Sequence, residues 1–220
     1  MRRVCTAIGL VCLGLAVSPV DAQDGEAAWL TRAAAAYRSW GQIDDELRWA
    51  PTRCRMPRRS RARVSRAGAP HGRKVYFVYA SDRAAYVRFT TGSDAAPAIG
   101  LTVVKEAFEP RELPSEARGR APLPASPFPQ ASPRTVLDGA EAYTPLADGE
   151  RLLGAGEARG LYVLRFVGTA VPESDEGWIY GTLAPDGTAT STGRVSQCMA
   201  CHRSAPHGRL FGLALSDTSP

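Results

Sequence analysis

Near the C-terminus the chain carries Cys198-Met199-Ala200-Cys201-His202. Two thiols three positions apart can add to the two vinyl groups of a haem. The histidine that follows is then placed to bind the iron from one face, so the spacing reads as c-type haem attachment. The expected cofactor is one covalently bound haem c, anchored by Cys198 and Cys201 with His202 as the iron ligand, and the rest of the chain must then fold as a pocket around it. Two other readings of the run stand beside this one. A zinc site needs two further ligands, and Cys54, His71 and His207 are available only at no recognisable spacing. A thioredoxin-like dithiol expects a βαβ pattern near the motif, and none is visible.

The 220 residues suit one domain. Arg2 and Arg3 precede an apolar stretch at 4–17, which is too short to span a membrane with its flanks. Val20-Asp21-Ala22 fits a small-residue cleavage pattern. Residues 1–22 therefore read as a secretory signal peptide and 23–220 as a single haem domain, with its core at 70–212. No later apolar run is long enough to cross a membrane. The expected location is the periplasm, where c-type haem is attached. Cleavage removes Cys5 and Cys12 and leaves Cys54, Cys198 and Cys201, so haem attachment would leave Cys54 alone. A leftover thiol of this kind is either buried and inert or paired between chains.

The net charge of +5 is carried almost entirely by arginine, and Lys74 and Lys105 are the only lysines. Seven arginines lie within 53–66. Such a run is either a solvated loop or a surface for an acidic partner. It lacks the interleaved aromatics of a single-strand binder, so no nucleic-acid partner is expected.

The remaining pattern is rich in β-strand. Trp29, Ala33, Ala36, Tyr37 and Trp40 recur at helical spacing and predict an amphipathic helix over 25–40. Residues 41–70 carry little pattern. A strand is expected at 74–79, apolar on both faces and therefore central. Ser81-Asp82 then caps a short helix through Phe89. In the strand at 100–108, alternation puts Leu101, Val103, Lys105 and Ala107 on one face and Thr102, Val104, Glu106 and Phe108 on the other. An ammonium group among small and apolar neighbours must be paired, exposed at its tip or chemically used, or else it snorkels to solvent. Seven of the 17 prolines fall in 109–135, which reads as a long surface loop. Strands resume weakly at 151–153, then at 160–168 and 177–183, and Ala184-Pro185-Asp186-Gly187 is a turn. Phe211, Leu213 and Leu215 close the chain apolarly, against the haem edge. The expected fold is mainly β (α+β): an antiparallel sheet with an N-terminal helix and a C-terminal haem-binding segment. A helical bundle would need several long 3.6-period segments.

Small electron carriers often place methionine on the second face of the iron. Apart from the initiator, the methionines are Met56, in the arginine run, and Met199, inside the haem motif. His207 is too close to His202 to cross over, and His71 is the other candidate. By elimination the sixth position is expected to be open, which favours chemistry or gas binding over electron transfer alone.

These residues resemble the cytochrome P-460 family and its close relative cytochrome c′-beta. The resemblance rests on the tyrosine-rich strand at 75–79, the Gly-x-x-x-Val-Lys-Glu strand at 100–106 and the Gly-Trp strand at 177–181 with its Pro-Asp-Gly turn. It rests also on Cys198-Met199-Ala200-Cys201-His202-Arg203 followed by Phe211. It covers most of 70–212. It implies a mainly antiparallel β fold, often a homodimer, with a five-coordinate c-type haem. In cytochrome P-460 the lysine of the Val-Lys-Glu strand, which matches Lys105, is cross-linked to the macrocycle and counts as catalytic and cofactor-binding. That protein oxidises hydroxylamine with nitric oxide chemistry and passes electrons to a partner such as a c-type cytochrome. Cytochrome c′-beta has the fold without the cross-link and binds diatomic gases such as nitric oxide and carbon monoxide. Redox enzyme, gas binder and simple electron carrier therefore all stand as readings. The sequence assigns no distal acid or base: Glu106 alternates away from Lys105, and Arg203 and Ser204 offer no carboxylate.

Overall fold

The alternating apolar positions that predict strands at 74–79 and 100–108 lie at the centre of one antiparallel sheet. A computed structural model describes residues 19–43, 47–49, 55–57, 60–61, 63–64, 74–131 and 142–212. The chain opens with helix α1 (Pro19–Ala36), a 3-10 turn (Tyr37–Ser39) and the short strands β1 (Gly41–Gln42), β2 (Leu47–Trp49), β3 (Arg55–Pro57), β4 (Ser60–Arg61) and β5 (Arg63–Val64). Then come β6 (Val75–Ala80), α2 (Arg83–Thr90), β7 (Thr102–Leu113), a second 3-10 turn (Ser115–Gly119), β8 (Ala121–Pro122), β9 (Ala142–Thr144) and β10 (Leu146–Asp148). The chain continues with β11 (Arg151–Phe166), β12 (Trp178–Leu183), β13 (Ala189–Gly193) and α3 (Ser196–His202). The main sheet runs β1-β6-β7-β11-β12-β13, with β5 beside β6 and β10 beside β11. Smaller sheets pair β2 with β3 and β4-β9-β8. The architecture is mainly antiparallel β with a few helices.

Register decides which side chains meet. Lys105 of β7 lies between Val78 of β6 and Tyr162 of β11, and Leu164 pairs with Tyr180 of β12. Because strand side chains alternate, these residues share one face and their neighbours share the other. On the first face α1 lays Trp29, Leu30, Ala33, Ala34 and Tyr37 against Val75, Phe77, Tyr79, Val104, Phe108, Leu161 and Val163. Each large side chain fully buried there contributes about 1.5–3 kcal/mol. Gly181 permits the approach, since a Cβ there would come within 2.2 Å of a Leu30 methyl. The opposite face carries Val103, Leu164, Phe166, Trp178 and Tyr180, covered by Tyr86 of α2, Met199 of α3 and Leu210. Asp82 caps α2 as expected, its carboxylate accepting from the Ala85 amide at 2.9 Å.

Several expectations need correction. Trp29, Ala33 and Tyr37 are buried as predicted, and so are Leu30 and Ala34, whereas Ala36 and Trp40 are half-buried. The helix tightens to 3-10 geometry at Tyr37, which breaks the 3.6-residue spacing on which Trp40 was placed. α1 begins at Pro19, before the expected start at residue 25. The patternless stretch 41–70 contributes β1 and β5 to the main sheet. Much of the arginine run, with Cys54 and His71, lies outside the described residues.

The proline-rich segment differs most from its expected form. Its first residues extend β7 to Leu113. Pro110 is tolerated there because it pairs with Ala155, next to a break in register before Ala158. Further on, Ala121 and Phe128 are buried in the core beneath α1. Gln130 donates to the Ala34 carbonyl at 3.0 Å and the Ala131 amide to that of Ala35 at 2.8 Å. The segment thus straps α1 to the sheet. The two strands expected at 151–153 and 160–168 are one bulged strand, β11. Gly154, Gly156, Ala155 and Ala158 hid its middle, because small residues have weak strand preference.

Candidate functional site

Helix α3 carries the haem-type motif and is held down by one side chain. Met199 is buried among the residues of the second face, with Val195 and Cys198 packed beside it. Cys198 is half-buried and Cys201 exposed, and both are free thiols. Three residues apart on a helix, they lie on neighbouring turns of one side. Burial first, and then the neighbouring Cys201, push the Cys198 thiol above its ordinary value.

His202 ends the helix in a defined orientation. Its Nδ1 lies 2.6 Å from the Arg209 carbonyl oxygen. A carbonyl can only accept, so Nδ1 carries the proton and donates. Nε2 is left with the lone pair, the form in which an imidazole ligates a metal, with its basicity raised by the hydrogen bond on the other nitrogen. Burial lowers the His202 pKa, which keeps the ring neutral. The ring has two tilted aromatic neighbours, Tyr180 at 5.6 Å and Phe211 at 5.3 Å between centroids. Phe211 thus meets the histidine, while Leu213 and Leu215 lie outside the described residues.

The Arg209 side chain is fixed in turn. Its Nε and Nη2 donate to the two oxygens of buried Asp175 at 2.9 and 3.0 Å. Nη2 also meets Glu176 at 3.0 Å. Tyr180, whose ring packs on His202, donates its hydroxyl proton to Asp175 at 2.9 Å. The hydrogen bond from Arg209 holds the Asp175 carboxyl below its usual range.

Lys105 is on the same face of the sheet as α3. Its Nζ lies 4.1 Å from the centroid of the Tyr76 ring and 5.8 Å from that of Tyr162, a cation–π seat. Burial, then the charge of Lys74, lowers its pKa to about 8, with Cys201 acting in the other direction. His202 in turn feels the Lys105 charge. Lys74 donates to the Tyr162 hydroxyl and lies 4.5 Å from that ring's centroid. The chain's two lysines therefore converge on one tyrosine.

Glu106 points the other way, as alternation predicts. It is 1% exposed on the α1 face. There it accepts from the Tyr37 hydroxyl at 2.6 Å, Arg38 Nη2 at 2.5 Å and the Tyr79 hydroxyl at 3.1 Å. The structure thus brings Lys105, Cys201 and His202 to one face and keeps Glu106 off it. Tyr76, Tyr162, Tyr180, Asp175 and Arg209 are neighbours that the strand pattern did not single out. Alternation gave the parity of Tyr162, but the partner across the sheet depends on register.

The donor set fits a c-type haem: two free thiols on one side of a helix, and an imidazole whose Nδ1 is already used. Among the described residues no group of three or more His, Cys, Asp or Glu side chains converges as a metal cluster would. A zinc reading therefore finds no third ligand there. Among the same residues no helix is long and apolar enough to cross a membrane. Comparison with protein-family models and with curated proteins finds no match to the chain.

Proposed function

We propose that this chain is an exported, periplasmic c-type haem protein of the cytochrome P-460 kind, acting in redox chemistry on hydroxylamine or nitric oxide. The observation that carries this reading is that His202 and Lys105 lie toward the same face of the sheet. The histidine presents Nε2 with its other nitrogen hydrogen-bonded to Arg209, and after burial the charge of Lys105 is among the causes that lower the His202 pKa. Cys198 and Cys201 would hold the haem by thioethers. A bound haem iron would supply a site for a small nitrogen ligand and a route for electrons to a partner such as a c-type cytochrome.

The chain's own groups do the rest. His202 would ligate the iron as a neutral, oriented imidazole. Lys105 presents an amine between aromatic faces. Joining that nitrogen to a macrocycle carbon removes one hydrogen from each, so the cross-link is a two-electron oxidation and needs an oxidant such as a peroxide. A gas-binding role of the cytochrome c′-beta kind is favoured by a different observation. The Lys105 ammonium already has a non-covalent seat over Tyr76, and Glu106, the nearest carboxylate in sequence, is consumed on the other face.

The ferric spectrum of protein matured in a host that attaches c-type haem tests the shared premise. A high-spin, five-coordinate spectrum is expected. A low-spin, six-coordinate one would remove both the enzyme and the gas-binding readings and leave an electron carrier.

A further inference from the structure

The turn after the motif contains an unfavourable choice of residue. His207 and Leu210 exchange both backbone hydrogen bonds, at 3.1 and 2.8 Å. Between them Gly208 has φ 46° and Arg209 φ 77°. Positive φ at both central residues is the type I′ pattern, which prefers glycine at its second central position. Arginine there is strained, and such strain persists where the surroundings over-determine it. The carbonyl of that strained residue is the one that receives His202 Nδ1.

The Arg209 guanidinium makes a two-pronged ion pair with Asp175, which is itself 5% exposed. Asp175 is set by its backbone: its amide and carbonyl bridge to Trp178 at 2.8 and 3.1 Å. Those bonds close the tight loop leading into β12, where Gly177 has φ 90° and a Cβ would lie 2.4 Å from the Phe166 ring. Asp175 also accepts from Tyr180, whose ring packs on His202. One carboxylate thus ties together the acceptor of the histidine and the ring that flanks it.

We propose that Asp175 and Arg209 are positioning residues for His202: their ion pair aims the Arg209 carbonyl at Nδ1 and so sets how strongly the imidazole donates to the iron. This rests on the haem reading above. A firm Nδ1 hydrogen bond gives the imidazole partial imidazolate character, which strengthens its bond to iron and favours the ferric state.

The test uses the haem-loaded full chain, with haem content measured first by alkaline pyridine extraction. Absence of haem from the wild-type protein would sink the haem reading itself. With haem present, Asp175→Asn and Arg209→Gly are compared with the wild type by resonance Raman of the ferrous iron–histidine stretch and by reduction potential. Glycine suits the turn better than arginine does, so Arg209→Gly removes the clamp without adding backbone strain. Both variants are expected to lower the stretching frequency and raise the potential. Arg38→Ala, which breaks the buried ion pair on the opposite face, is expected to leave both readings unmoved. Unchanged frequency and potential in Asp175→Asn and Arg209→Gly would overturn the proposal. So would failure of Arg209→Gly to attach haem while Arg38→Ala attaches it, since that would make the turn a requirement for attachment rather than a tuner of the ligand.

Discussion

Lys105 and Glu106 are neighbours on β7 and have opposite fates. Glu106 enters a closed network: two tyrosine hydroxyls and an arginine donate to it, and Tyr37 meets Ser126 of the proline-rich strap at 2.9 Å. Lys105 rests on the faces of Tyr76 and Tyr162, with a second lysine close by. On the α1 face the Glu106 carboxylate is satisfied by the chain alone. On the α3 face an ammonium sits in a partly dry place that lowers its pKa to about 8. Burying charge without full compensation costs stability, and chains tolerate such costs at functional sites. The difference sets α1 and its strap apart as the part that holds the sheet, and the α3 face as the place of the proposed chemistry.

The sharpest way to break this contrast is to unpair Glu106. Arg38→Ala leaves a buried carboxylate without its cation, and the expected loss is about 3–5 kcal/mol in urea melts. Haem attachment in surviving protein should be unaffected. A loss as small as that of an exposed ion pair would show that the network is not closed.

On the other face the expected sign reverses. The folded-state pKa of Lys105 lies below its unfolded value, so the unfolded chain binds more protons between pH about 8 and about 10.5. Stability of the haem-free chain should therefore rise with pH through that window, the full cost being present below it. Lys105→Met should stabilise the haem-free chain at pH 7 by up to about 3 kcal/mol and abolish the rise. Destabilisation by this substitution would mean that the lysine is paired as well as Glu106 is.

Tyr162→Phe is expected to have the smallest effect. It removes the hydroxyl to which Lys74 donates and leaves the ring beside Lys105. The expected cost is about 1 kcal/mol, read by thermal melting.

How much of this was legible in the sequence follows from what each signal depends on. Period-2 alternation placed Lys105 and Glu106 on opposite faces without knowledge of partners, and the cap at Asp82 and the turn at 184–187 depend on local chemistry alone. The Gly187 amide meets the Ala184 carbonyl at 2.9 Å, as a turn requires. The strap is not legible as core because its burial comes from isolated residues, Ala121 and Phe128, among prolines that carry no period. β11 reads as two strands in the sequence because glycine and alanine fill its bulged middle. Within the candidate site, spacing alone singles out Cys198, Cys201 and His202, which the fold carries on α3. Asp175 and Arg209 stand 34 positions apart, and only the fold shows that they meet. The convergence of Lys74 and Lys105 on Tyr162 is likewise a matter of register across β7 and β11.

The most direct test of the account is the mass of the peptides released by digestion of denatured protein matured with haem. Haem is expected on the peptide containing Cys198 and Cys201, with a further covalent link from that haem to the peptide containing Lys105. Haem on the cysteines with a free Lys105 peptide would move the protein to the gas-binding reading. Cysteines that carry no haem would contradict the account at its base.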